Sequence, residues 1–264
     1  MNIQKQFIKN RSNKKISIFA KIFDNSKGLV FVMHGLGGSK EQEHIKTFGE
    51  AFSEKEINTV FFDTTNSYGE SEGDYKQATI TNYYQDLEDV ISWSSNQTWY
   101  QEPFYLVGHS IGGFCISYFT QNNPQKVLAI APISPLVSGK QSEEAYKKYN
   151  LEEFTNWQKA GWLIKPSTTL KGVIKELPWS YFEEQLKYDL DIKIEKIKCP
   201  ILLIVGENDK STPSEHIEEF YNKLDCIKEL HIIKNAPHTF IEKAYLQEIK
   251  NIFSNWIDTL SKEV

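Results

Sequence analysis

The strand-like run Phe104-Tyr105-Leu106-Val107 stops at Gly108-His109-Ser110-Ile111-Gly112 and leads into Gly113 and Phe114, a small and apolar start to a helix. This junction constrains the fold more than any other stretch of the chain. A strand that turns straight into a helix at a G-x-S-x-G string must bring the two elements into close contact. Small residues two before and two after the serine permit that approach. The turn forces Ser110 into strained φ/ψ, exposes its hydroxyl, and sets the backbone N–H of Ile111 at a helix N-terminus, where negative charge is favoured. The string alone is a weak signal, because a tight strand–helix turn can carry a serine without any chemistry. Its context has to decide.

That context is an alternation of short β-branched or aromatic runs with longer amphipathic segments, which predicts a mostly parallel sheet covered by helices. Lys15–Phe23 reads as an edge strand, and Gly28–Met33 as a strand buried on both faces. Further strands are predicted at Asn58–Asp63, Phe104–Gly108, Val127–Ala131, Ile201–Val205 and Glu229–Ile233. Helices are predicted over 40–55, 79–95, 111–120, after Pro213, and from about 241 to 258. The rhythm breaks after Pro132. Residues 136–195 hold charged amphipathic stretches, tryptophans at 157, 162 and 179, and no clear buried strand. They read as a helical insertion over the sheet, since linkers are poor in tryptophan. The predicted division is a core of 1–135 and 196–264 with an insertion at 136–195.

Composition excludes several classes. With 264 residues, 40% hydrophobic and 13% aromatic, the chain can fill a sizeable core. A net charge of -5 without a long basic tract weighs against a nucleic-acid partner. No run approaches the ~18 apolar residues of a membrane span, so no integral membrane segment is expected. The charged N-terminus lacks the apolar stretch of a signal peptide, which makes the cytoplasm the default expectation. Cys115, Cys199 and Cys226 are far apart and odd in number, which suits free thiols in a reducing compartment. Neither CxxC nor HExxH occurs, so no metal site and no cofactor are expected. Oligomeric state stays open.

A serine hydroxyl needs a base, and the base needs a carboxylate to orient it. Of the six histidines, His34 ends a strand, His44 and His216 fall on predicted helices, His109 sits inside the turn, and His231 lies in a strand. His238 follows the last strand across the short loop Lys234-Asn235-Ala236-Pro237 and is the candidate base. For the acid, Gly206-Glu207-Asn208-Asp209 lies at the C-terminal end of a buried strand, where open α/β sheets gather ligand groups. Asp209, deeper in the loop, is preferred, with Glu207 as competitor. The glycine loop His34-Gly35-Leu36-Gly37-Gly38 can present amides inward, which makes Leu36 N–H the second oxyanion donor beside Ile111. A phosphate-binding reading of that loop fails for want of G-K-[ST] or G-x-G-x-x-G.

The motifs H-G-L-G-G at 34–38, D-x-x-x-x-x-G-E-S-E-G at 63–73, G-H-S-I-G-G at 108–113, G-E-N-D at 206–209 and A-P-H-T-F at 236–240 together resemble the α/β-hydrolase family over nearly the whole chain. Ser110, Asp209 and His238 follow that family's order. Within it the chain is similar to the group of monoacylglycerol lipases, cinnamoyl or feruloyl esterases and serine aminopeptidase-like proteins. The resemblance implies a three-layer α/β-hydrolase fold with a mostly parallel sheet and a cap after the sixth strand. It also implies Ser110 as nucleophile, His238 as base, Asp209 as acid, and an oxyanion hole from the Leu36 and Ile111 amides. One departure stands out. Many relatives carry an arginine-glycine-histidine-glycine turn where this chain has Thr64-Thr65-Asn66-Ser67-Tyr68-Gly69. The pocket wall beside the triad therefore does not carry over.

The chemistry expected is two-step acyl transfer on a small-molecule ester. Trp157, Trp162, Trp179, Tyr181 and Phe182 are candidates for an apolar wall, with Gly35 and His109 nearer the serine, although most such aromatics only pack the cap to the sheet. As a group they favour an apolar or aromatic acyl ester over a highly charged one or a peptide. A thioesterase, haloperoxidase, lyase or peptidase-like member of the fold remains open, as does a noncatalytic scaffold. Cys115 reads as a core thiol.

Overall fold

The structure, a computed structural model, describes residues 1–167 and 172–263. The part of the predicted insertion at 168–171 lies outside the described residues. The sheet strands are β1 (Asn2–Lys9), β2 (Lys15–Ile22), β3 (Leu29–Met33), β4 (Asn58–Phe62), β5 (Phe104–His109), β6 (Val127–Ile133), β9 (Ile201–Gly206) and β10 (Lys228–Ile233), with β7 (Trp162–Pro166) and β8 (Ile174–Pro178) apart. The helices are α1 (Glu43–Ser53), α2 (Ile80–Ser94), α3 (Ile111–Asn122), α4 (Gly139–Tyr149), α5 (Leu151–Ala160), α6 (Trp179–Gln185), α7 (Ser214–Lys223) and α8 (Lys243–Glu263).

Eight strands form one sheet in the order β1-β2-β4-β3-β5-β6-β9-β10, antiparallel at β1/β2 and β2/β4 and parallel beyond. The alternation within β3 shows how the layers arise. Leu29, Phe31 and Met33 point to the face packed with α2, α3 and α7, whereas Val30 and Val32 point to the face packed with α1 and α8. Both faces are dry, which is why the central strands read as unbroken apolar runs. The result is a three-layer α/β-hydrolase fold, with a cap inserted between β6 and β9. Among the described residues no helix is long and apolar enough to cross a membrane.

The structure corrects two expectations. Lys15–Ile22 is not the edge, because Asn2–Lys9 pairs outside it from Asn2↔Ile22 to Lys9↔Lys15. That outer strand escaped notice because its side chains are mostly polar or charged, and of its apolar residues only Ile8 is buried. The insertion, besides α4, α5 and α6, holds the antiparallel pair β7/β8. Each of its strands buries a single side chain, Leu163 and Leu177, which is too little for an apolar alternation to be seen.

The D-x-x-x-x-x-G-E motif fixes the loop after β4. Asp63, fully buried, accepts from the Lys40 amide at 2.7 Å, from Lys40 Nζ at 2.7 Å and from the Glu70 amide at 2.8 Å. Lys40, equally buried, reaches on to Glu70 at 2.6 Å. These contacts hold the ammonium charged against the cost of burial, and tie the glycine loop after β3 to the loop after β4. Removing one partner of such a pair strands the other. Lys40→Met is expected to lower stability by about 3–5 kcal/mol, read from urea unfolding; an unchanged midpoint would remove this pair from the scaffold.

Candidate active site

Ser110 occupies the junction of β5 and α3 with φ 57° and ψ -118°, a conformation costly for a residue with a side chain. Its amide donates to the Ile133 carbonyl at 2.9 Å, and its own carbonyl accepts from the Phe114 amide at 3.1 Å, so the strain is held from both sides. The close approach depends on Gly108. A Cβ there would lie 2.4 Å from the backbone of Gly112.

Asp209 follows β9 and is buried. One oxygen accepts from the amides of Ser211 and Thr212, each at 2.9 Å, and the other from the Thr212 hydroxyl at 2.9 Å. That second oxygen also lies 2.7 Å from His238 Nδ1. Burial alone would raise the Asp209 carboxyl, but the charge and hydrogen bond of His238 and the Thr212 donors outweigh it and bring the carboxyl below its ordinary range. Its competitor Glu207 is exposed and accepts from the Asn235 amide at 2.7 Å, away from the histidine.

His238 Nε2 lies 3.0 Å from Ser110 Oγ, which completes a chain of hydrogen bonds from serine through histidine to aspartate. With Nδ1–H donating to the carboxylate, Nε2 is left free to accept from the hydroxyl. His109 holds His238 from behind, its Nε2–H donating to the His238 carbonyl at 2.8 Å. Burial, then its neighbours His44 and His238, keeps His109 neutral, and burial pushes His44 down to about 3. His34 is neutral through burial as well, and both its ring nitrogens are engaged: Nδ1–H donates to the Gly35 carbonyl, and Nε2 accepts from the Thr64 amide. His216 lies on α7 and His231 in β10 beside Glu229.

In the glycine loop, Gly37 N–H donates to the Tyr83 hydroxyl and Gly38 N–H to the Gly35 carbonyl, both at 3.0 Å. The Leu36 amide has no partner among the described residues, nor has that of Ile111 at the start of α3. Both residues line a cavity of about 330 Å³ that also holds Gly35, His109, Ser110 and His238. Gly35 passes so close that a Cβ would meet Ser110 Cβ at 3.1 Å.

The aromatic wall expected from the cap is not there. Trp157, Trp162, Trp179 and Phe182 do not line the cavity. Trp157 and Phe182 are buried in a ring cluster with Phe154, Tyr146 and Trp179, and the indole N–H of Trp157 donates to the Leu177 carbonyl at 3.0 Å. Trp162 is substantially exposed. Bulk and apolarity marked these residues for burial, and burial inside the cap satisfies that as well as a pocket does. Tyr181 does reach the cavity, beside Leu136, Ala145 and Tyr146. The sequence reading missed the polar lining, in particular Glu153, Lys165, Lys175 and Gln185. It also missed Thr212, for which a threonine three residues after the candidate acid was the available signal. Cys115 is fully buried, and burial pushes its thiol up, away from reactivity.

A family model described as "Serine aminopeptidase, S33" matches residues 24–175, more than half of the chain. The chain belongs to that family. It is thus an α/β hydrolase of the serine-hydrolase branch. It is 23% identical over 252 residues to "Palmitoyl-protein thioesterase ABHD10, mitochondrial" of Bos taurus, covering 92% of this chain and 77% of that one. In fold it is similar to Est1E from Butyrivibrio proteoclasticus with bound ferulic acid (TM-score 0.78, 18% identity, 97% of this chain and 99% of that one). It is equally similar to alpha/beta hydrolase domain-containing protein 10 from mouse (TM-score 0.79, 18% identity, 97% and 99%).

If the cap aromatics serve packing, Trp157→Ala costs about 3–5 kcal/mol of stability. Chemical unfolding measures it, and a loss below 1 kcal/mol would contradict the packing role assigned here.

Proposed function

We propose that this serine hydrolase cleaves carboxylic esters with a small or medium apolar or aromatic acyl group, using Ser110 as nucleophile, His238 as base and Asp209 as the residue that orients and stabilises the base. The observation that carries this is the hydrogen-bonded chain from Ser110 through His238 to Asp209, opening on a cavity edged by two amides that are unpaired among the described residues. In the first step His238 Nε2 takes the hydroxyl proton while Ser110 Oγ bonds to the carbonyl carbon. The Leu36 and Ile111 amides receive the developing oxyanion, and one such donor is worth about 3 kcal/mol at the transition state. His238 then gives its proton to the leaving oxygen as the carbon–oxygen bond breaks. Water, deprotonated by the same histidine, releases the acid from Ser110.

Residues 136–195 act in this reading as the cap that shapes the acyl site, over a core of 1–135 and 196–264. Thioester cleavage is a second reading of the same machinery. It is favoured by the bovine relative's name, and the mechanism differs only in a sulfur leaving group.

Ser110→Ala should fold and lose both turnover and labelling by a fluorophosphonate probe. Residual ester hydrolysis by that variant would remove Ser110 from the role. Asp209→Asn should lower kcat on the order of 10³–10⁴-fold at neutral pH by disturbing the tautomer of His238. A series of p-nitrophenyl esters of rising chain length, with matched thioesters and a feruloyl ester, ranks the two readings by kcat/KM.

A further inference from the structure

The two-stranded sheet of the cap puts lysines where its own pattern calls for apolar side chains. Leu163 and Leu177 are cross-strand partners, and both are buried. Two residues along, on the same face, the partners are Lys165 and Lys175, and both line the cavity that holds Ser110. On the other face Ile164, between Leu163 and Lys165, and Ile174, next beyond Lys175, are exposed. The sheet therefore turns isoleucine to solvent and a pair of lysines to the cavity wall, Lys165 with its side chain still 42% exposed.

This arrangement is unfavourable in the chain by itself. Like charges directly opposite one another destabilise a strand pair, and burial opposes the charged form of an amine. Lys165 is offset by an ion pair with Glu153 at 2.8 Å. Lys175 has no carboxylate partner among the described residues, and the sequence places none at 168–171. Its neighbour Glu176 is committed to Lys76 at 2.7 Å. What faces the Lys175 ammonium is aromatic: the rings of Tyr68 and Tyr75, with centroids 5.8 and 5.9 Å away. Burial first, then the charge of Lys165, pushes Lys175 below the ordinary lysine range. The two rings offset part of that cost, but among the described residues no carboxylate neutralises the charge, and a local rule broken in this way points to a functional position.

We propose that Lys165 and Lys175 form an anion-recognition site in the wall of the Ser110 cavity, and that the ester cleaved there carries a second, anionic group, a carboxylate or a phosphate, remote from the scissile carbonyl. The inference rests on Ser110 being the nucleophile, and it narrows the substrate class of that same site. An apolar chain suits Leu136, Ala145, Tyr146 and Tyr181, and its anionic end suits the lysines. A cavity of about 330 Å³ is of the size that holds a small ligand of this kind. Among the described residues lining it, Glu153 is the one glutamate and is already paired with Lys165, so the positive charge of Lys175 is left for the ligand. Tyr68, whose ring faces Lys175, belongs to the loop after β4, so the subsite is built from that loop and the cap sheet together.

The test compares kcat/KM for p-nitrophenyl monoadipate, p-nitrophenyl 5-phosphonopentanoate and p-nitrophenyl hexanoate, which share a scissile bond and differ at the far end. The wild-type protein should favour one of the anionic esters over hexanoate by about tenfold or more, and which one identifies the anion. Lys175→Met should erase that preference and Lys175→Arg should keep it. A wild-type protein that treats all three alike overturns the proposal, as does a preference that survives Lys175→Met. Calorimetric titration of Ser110→Ala with monomethyl adipate and methyl hexanoate reads the subsite without turnover. Tighter binding of the anionic ester, lost on adding Lys175→Met, supports the site even if Ser110 proves not to be the nucleophile. Equal binding of the two esters overturns it even if Ser110 is. A drop in the thermal midpoint of Lys175→Met with the ester preference intact assigns the lysine to the scaffold and also overturns it.

Discussion

Everything at this site hangs on the approach of a strand and a helix to within backbone contact. Gly108 has no Cβ to keep β5 and α3 apart, and Gly112 none to keep α3 off the end of β3, so the chain reverses within one residue, and that residue is Ser110 with its positive φ of 57°. The hydroxyl is thereby lifted off the end of the sheet, and the first free amide of α3 lies beside it. Parallel neighbours do the rest. The loops after β3, β9 and β10 end at the same edge of the sheet, so the amide of Leu36, the carboxylate of Asp209 and the imidazole of His238 are delivered to one place by topology.

Much of this was legible because most elements of the constellation follow a buried strand, His238 after the half-buried edge strand β10 being the exception. Phe104–Val107, Ile201–Val205 and Gly28–Met33 are nearly pure apolar runs, and such runs announce both themselves and the loops that end them. Helix 79–95, read from its apolar stripe, is α2 at Ile80–Ser94. Asn2–Lys9 was not legible, since an edge strand needs few apolar residues and gets its order from pairing with β2.

The cap was the least legible part, for a physical reason. Its aromatic content correctly signals a packed unit, but composition does not say which side of a helix meets solvent, core or cavity. Trp157 and Phe182 satisfy their apolarity among themselves and with Phe154 and Trp179. From the cap the cavity receives tyrosines, lysines, Ala145, Glu153 and small polar side chains instead. That Lys165 and Lys175 stand opposite each other follows from strand register, and register is a tertiary property that no local pattern in either strand records.

The loop after β4 has a further consequence. Asp63 grips its start and, through the Glu70 amide, its end, while the Ser71 hydroxyl donates to the Asp63 carbonyl at 2.7 Å and closes the same clasp. The residues between are held as tightly. Thr65 donates its amide and hydroxyl to Asp86 at 2.6 and 2.7 Å, and a Cβ at Gly69 would fall 2.1 Å from the Asp63 carboxyl carbon. Tyr68 is different: its ring faces Tyr75 and the Lys175 ammonium, away from the clasp. A change at that position leaves the buried ion pair and the sheet below untouched, so a hydrolase held this way can alter a contact with its cap while keeping how it folds.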